Sequence, residues 1–297
     1  WNEKAGASGE DFAAAWEGKI KEVVDKYSPD CIWFDGVNTR NGVLSEQRVM
    51  DTFAYYFNEA EKKGQEVLIC NKHAGDFNFP EEFGFLCYEN GREMPYDVKP
   101  WFLIDRAIAY PWSYVEGKKY KDGPDYHTRS LIDLVSRGGV FLLSLTPKGD
   151  GSIPPEEVAI LKGMGRWLKV NTEAIHATRP WKVFGEGPAD LRYVKNSKKG
   201  KPLPNWNYRV DFTAEDIRFT QSKDGKTLYA TALDWPKNGK ILVKNLKAGS
   251  EHYPQEIKSI SMIGSDEEIK WNRTAEGLEV TFPKERPCEW AFALKIQ

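Results

Sequence analysis

Apolar residues recur at three- and four-residue spacing over 11–27, with Phe12, Trp16, Ile20, Val23, Val24 and Tyr27 on one side. That spacing predicts an amphipathic helix. Ser28-Pro29 should end it, because the proline ring disfavours the α conformation in the preceding residue. CIWF (31–34) follows as a short continuous apolar run. Such a run suits a strand buried on both faces of a parallel sheet. It empties at Asp35-Gly36. A second helical stripe carries Val49, Phe53, Tyr56, Phe57 and Ala60, and Gly64 stops it. VLIC (67–70) and FLCY (85–88) are two further buried-strand candidates, separated by the loop NKHAGDFNFPEEFG. A third helix is expected over 127–137, with Leu131, Ile132, Leu134 and Val135 inward. After Gly138-Gly139, VFLLSL (140–145) reads as the clearest buried strand of the chain. The polar TPKGDGSIPP then leads into a helix over 155–170, with Val158, Leu161, Met164, Trp167 and Leu168 on its apolar side. Pro154 and Pro155 suit its first turn.

Alternating strands and helices imply an α/β domain with a parallel sheet, and a (β/α)-barrel of the TIM type is its natural form. Only about four strand–helix units are visible. After Pro180 the pattern changes. DIRFT, TLYATAL, KILVKNL, GLEVTF and EWAFALKI are short β-rich segments, divided by turns at Asp224-Gly225, Asn238-Gly239 and Glu276-Gly277. That spacing predicts an antiparallel β-sandwich. The expected division is residues 1–180 as the second half of a barrel and 181–297 as a C-terminal β-sandwich. The chain opens WNEKAGASGEDF, without Met, and reads as the middle of something, so the first barrel strands are expected upstream.

Composition narrows the function. Forty-two basic against 44 acidic side chains give a net charge of −2 over 297 residues, which disfavours a nucleic-acid or polyanion binder. No apolar stretch approaches the roughly 20 residues that span a membrane. The four cysteines form no CxxC pair, so a zinc site is not indicated. Cys31, Cys70 and Cys87 lie in apolar runs and read as small buried hydrophobes rather than bridges. The 11 Trp, 13 Tyr and 15 Phe suit both core packing and the stacking of sugar rings.

In a parallel barrel the loops at the carboxyl ends of the strands build the active site. Asp35 ends CIWF, His73 follows VLIC and Glu89 follows FLCY. An Asp in such a place is more often a turn or cap residue than a catalyst. Here Trp33 and Phe34 make the surroundings apolar, and Gly36 lets a ligand approach the backbone. Glycoside hydrolysis needs two carboxyl groups, one ionised and one protonated. Retaining enzymes place them about 5–5.5 Å apart. Asp35 is one candidate; Glu81, Glu82, Glu89 and Glu93 are candidates for the other, and spacing does not rank them. His73 and Trp112 could meet a sugar, and each could equally be a loop or core residue.

The run YSPDCIWFDG (27–36) resembles the nucleophile segment of family 29 of the glycoside hydrolases, the α-L-fucosidases. SRGGVFLLSLTPKGDGSIPPEEVAILKGMGRWLKVNTEAIHATRPW (136–181) is similar over its whole length to that family's last barrel strand and helix. GDFNFPE (75–81) resembles a segment that carries the acid/base in some members, and PWSY (111–114) resembles one near the sugar. The resemblance implies a retaining exo-α-L-fucosidase, with Asp35 as nucleophile and Glu81 as acid/base, Glu82 and Glu89 being the alternatives. Trp33, Asn71, His73 and Trp112 would contact the substrate, a terminal fucose of an oligosaccharide or glycoconjugate. No metal or organic cofactor is implied, and no nucleic-acid or membrane partner. A homo-oligomer is compatible with it, and the family suggests a periplasmic, extracellular or lysosomal setting. There are departures. Asn71-Lys72-His73 stands where the family often has Asn-Asp-Arg, Val140 and Ser144 where it usually has asparagines, and Trp101-Phe102 where some members have Trp-Glu. These keep two alternatives in view: a relative acting on a galacto-configured sugar, and a non-catalytic carbohydrate-binding protein on a fucosidase-like scaffold.

Overall fold

The computed structural model describes residues 9–35, 37, 39, 42–72, 84–91, 95, 97–99, 101–189 and 211–297. The chain divides into two compact units, Trp1–Glu89 and Asn90–Gln297.

The first unit pairs helices with parallel strands. Helix α1 (Gly9–Tyr27) buries Ala13 and Val24, and ends where Ser28 takes a left-handed φ of 46° before Pro29. Strand β1 (Cys31–Phe34) follows. Helix α2 (Glu46–Lys62) starts at an N-cap, Ser45, whose side chain accepts from the Arg48 N–H. It turns Val49, Phe53, Tyr56 and Ala60 inward. Strand β2 (Leu68–Lys72) lies parallel to β1, and β3 (Gly84–Cys87) parallel to β2. A Cβ on Gly84 would fall 1.7 Å from the Ile69 carbonyl oxygen, so only glycine fits where these strands meet. The core joins Ile32 and Phe34 of β1 and Ile69 of β2 to Ala13, Val24, Val49 and Phe53 of the helices.

Two expectations change here. CIWF is not buried on both faces. Its burial alternates, with Ile32 and Phe34 toward the helices and Cys31 and Trp33 exposed. Cys31 is therefore exposed rather than a buried hydrophobe, whereas Cys70 and Cys87 are buried. The reason is that both helices cover the same face of β1. The second change is in length. Strand β2 runs past VLIC to take in Asn71 and Lys72, because the ladder to β1 and β3 continues through both residues.

The second unit begins with the same motif. Strand β4 (Phe102–Ala107) is parallel to β5 (Gly139–Ser144). Between them runs helix α3 (Pro124–Arg137), with proline in its first turn and Gly138 capping it at φ 93°. Helix α4 (Pro155–Asn171) follows. Phe141, Leu143 and Leu145 pack with Ile108, Ile160 and Met164. Val140 and Leu142 are exposed, so β5 also alternates rather than being buried on both faces. Glu157 of α4 is fully buried, and it holds the preceding loop by accepting from the Thr146 N–H, the Thr146 hydroxyl and the Tyr120 hydroxyl.

The remainder of this unit is antiparallel. Strands β6 (Thr178–Glu186), β7 (Ile217–Ser222), β8 (Leu228–Ala232), β10 (Ile260–Met262) and β13 (Phe292–Ile296) make a sheet ordered β10-β13-β8-β7-β6. Strands β9 (Lys240–Val243), β11 (Lys270–Arg273) and β12 (Leu278–Thr281) make a second, ordered β11-β12-β9. Phe219, Ala230, Phe292 and Leu294 of the first sheet share a core with Ile241, Val243, Leu278 and Val280 of the second. The fold is thus part of a (β/α)-barrel followed by an antiparallel β-sandwich.

Candidate active site

Strand alternation builds the site. Since Ile32 and Phe34 face the helices, Cys31 and Trp33 face away, and the next residue of that parity is Asp35, just past the carboxyl end of β1. Phe34 stands opposite Asn71 in the ladder. One step further, the register sets Lys72 beside Asp35 on the same face. The Lys72 Nζ donates to Asp35 Oδ1 at 2.7 Å. It also lies 3.5 Å from Glu89 Oε2 and 5.5 Å from the centre of the Trp33 ring. The Lys72 side chain is only 14% exposed, against 70% for Asp35 and 33% for Glu89. One ammonium is therefore lodged between two carboxylates and an aromatic face, at the ends of three adjacent parallel strands.

Of the residues expected to form a site, the structure brings together Asp35, Trp33 and Glu89. Asn71 is buried, 2% exposed, and its parity in the strand puts it on the side of Ile69 and Phe34, away from Asp35. Trp112 is half-buried in the segment following β4, two residues past the cis Tyr110-Pro111 bond, in the second unit. His73, Glu81, Glu82 and Glu93 lie outside the described residues. Among the described residues no three His, Cys, Asp or Glu side chains gather as a metal site.

Lys72 is the member that sequence reasoning missed. VLIC looks like a whole strand, and the polar Asn71-Lys72 looks like the start of a loop. Two further residues of β-ladder, followed by a count of alternate positions, would have set Lys72 next to Asp35.

A parallel half-barrel with an acidic cluster at its strand ends, continuing into a sandwich, places the chain among barrel proteins with a β-sandwich appended. The comparison with known families is more specific. Residues 1–173 match the model of the α-L-fucosidase family, and residues 209–297 match that of the α-L-fucosidase C-terminal domain. The chain belongs to the α-L-fucosidase family. The tissue α-L-fucosidase of Rattus norvegicus is 26% identical over 299 residues, covering 94% of this chain and 54% of that protein. The plasma α-L-fucosidase of Homo sapiens is 25% identical over 296 residues, with 94% and 54% covered. The chain thus spans about half the length of the curated relatives it matches. Among solved structures, an α-fucosidase of Thermotoga maritima in complex with a mechanism-based inhibitor superposes with a TM-score of 0.68 at 21% identity, over 96% of this chain and 56% of that one. The α-L-fucosidase isoenzyme 1 of Paenibacillus thiaminolyticus superposes with a TM-score of 0.67 at 19% identity, over 98% and 63%. At these identities the superpositions speak to the fold.

Proposed function

We propose that the protein hydrolyses terminal α-L-fucosyl residues from oligosaccharides or glycoconjugates by a retaining double displacement. The observation that carries this reading is the position of Asp35. It ends a parallel strand of a fucosidase-family barrel, on the face away from the helices, with Trp33 exposed beside it. In the first step an Asp35 oxygen attacks the anomeric carbon. The bond to the aglycone oxygen breaks, and that oxygen takes a proton from Glu81. In the second step Glu81 takes a proton from water, water oxygen bonds to the anomeric carbon, and the electron pair of the cleaved ester bond returns to Asp35. Trp33, His73 and Trp112 are the side chains proposed to meet the sugar. Glu82 and Glu89 are the alternatives for the acid/base, and Glu89 has in its favour the contact it shares with Asp35 through Lys72.

The test is turnover of nitrophenyl α-L-fucoside by the full-length protein. Asp35→Gly should lower kcat roughly a thousandfold or more with the fold intact, and a 2-fluoro-fucosyl probe should label Asp35. A label on another residue would refute the nucleophile. Azide should restore activity to Glu81→Ala and yield an α-fucosyl azide, because azide displaces Asp35 from the β-linked intermediate; rescue of a Glu82 or Glu89 variant instead would move the acid/base role there. Release from nitrophenyl galactoside but not fucoside would change the sugar. Calorimetric sugar binding with no nitrophenol released from either would make the protein a non-catalytic carbohydrate binder.

A further inference from the structure

We propose that Lys72 is a positioning residue that drives release of the sugar from Asp35, making the second half-reaction fast. This deepens the proposed function and rests on Asp35 being the nucleophile. The geometry behind it is independent of that assignment. The ladder between β1 and β2 sets Lys72 beside Asp35, and the Nζ–Oδ1 distance is 2.7 Å. The ammonium is seated on its other sides by Glu89 Oε2 at 3.5 Å and by the Trp33 ring. A lysine head held at three points and mostly out of solvent loses little further freedom on binding a carboxylate. A cation over an indole face is itself favourable.

The consequence follows from where the charge on Asp35 goes. In the free enzyme Asp35 is an anion and Lys72 pairs with it. When Asp35 attacks, its negative charge passes into an ester, and the pair loses its Coulomb attraction. When water displaces the ester, the charge returns to the carboxylate and the attraction is regained. Lys72 therefore stabilises the reactant of the first step and the product of the second. Interactions that differ between ground and transition states are the ones that change rates. Lys72 thus restrains attack and assists departure, and it holds one Asp35 oxygen so that the other is presented to the sugar.

The experiment compares wild type, Lys72→Met and Lys72→Arg in the full-length protein with dinitrophenyl α-L-fucoside, whose leaving group makes attack easy. For Lys72→Met, kcat should fall about tenfold. KM should fall with it, and kcat/KM, which reports only the first step, should hold or rise by up to about threefold, since the restraint on attack is gone. Pre-steady-state traces should show a burst of dinitrophenol as the fucosyl-enzyme accumulates. Lys72→Arg should recover most of kcat. A loss of kcat/KM with unchanged or raised KM and no burst would mean that Lys72 only supports structure or binding, and an unaltered Lys72→Met would likewise overturn the inference. A second measurement does not depend on turnover. Acetylation of Lys72 by acetic anhydride, followed by mass spectrometry, should be several-fold faster in Asp35→Asn than in wild type. Equal rates would show that the pair does not hold in solution. An active wild type with a fully active Asp35→Gly sinks the nucleophile reading, whereas an inactive Asp35→Gly with a normal Lys72→Met sinks only this one.

Discussion

Burial sets the charge state of His127. It sits in the first turns of α3 with no exposed surface, and neither ring nitrogen makes a hydrogen bond. Desolvation pushes its pKa down to about 4, and Arg106 of β4 pushes the same way, against weaker upward pulls from Asp122, Asp125 and the neighbouring Ile108 backbone. The unfolded chain takes up this proton near pH 6.5, the native state only near pH 4. Between these values the unfolded state holds more protons, so the stability from a neutral His127 is complete above about pH 6.5 and is lost as pH falls toward 4. His127→Phe removes the titration. In urea unfolding at pH 7 and pH 5, the wild type should lose about 2 kcal/mol more than the variant. Equal losses would show that His127 finds a proton partner in the native state. The contrast with the Asp35–Lys72–Glu89 cluster is one of solvent: there the partners are charged and reach water, and geometry decides what they do.

Glycines shape the junction of α3 and β5. Gly138 has a left-handed φ of 93°, and its N–H bonds to the Leu134 and Val135 carbonyls. Gly139 pairs with Phe102 in the ladder, and a Cβ there would come within 2.6 Å of the Phe102 ring, which is fully buried. The two substitutions should therefore differ. Gly138→Ala pays only for the backbone, about 1 kcal/mol. Gly139→Ala must push a core aromatic aside, costing about 1–3 kcal/mol. Denaturant midpoints would rank them, and the reverse order would place the strain in the cap instead. This pair was readable in the sequence, as were the four α-helices among the described residues, because apolar residues three and four apart leave a signature that does not depend on distant partners. The strands were harder. An apolar run such as CIWF or VFLLSL shows that a strand forms, but not that Trp33, Val140 and Leu142 end up exposed, since that depends on which face the helices cover. The candidate site was legible where one strand end defines it, at Asp35 and Glu89. It was not legible at Lys72, whose place follows from register between strands 37 residues apart in the chain.

At the scale of the whole molecule, a buried charge network ties the last strand–helix units to the sandwich within the second compact unit. Asp133 of α3 accepts from Arg137 Nε and Nη2, both at 3.2 Å, and from Arg218 Nε of β7. All three side chains are fully buried. The centre of the Phe184 ring of β6 lies 3.7 Å from the Arg137 guanidinium carbon and 5.4 Å from that of Arg218. Nearby, the Trp167 indole of α4 donates to the Ala291 carbonyl at 2.8 Å, and Arg129 of α3 reaches the Trp290 carbonyl. Taking three charges out of water is repaid only while each keeps its partners. Asp133→Ala would leave two guanidinium groups buried without that carboxylate, and should cost about 3–5 kcal/mol in unfolding free energy. Because Arg218 is a sandwich residue and Asp133 a helix residue, the loss should not be confined to either part: the helical signal and the tryptophan fluorescence should shift together to lower denaturant. A loss under 1 kcal/mol would mean that water enters and solvates the arginines. Two separate transitions in the variant would mean that the network couples the parts without being needed by either. A common shift would make the sandwich part of what holds the adjoining strand–helix units in shape, through one buried aspartate.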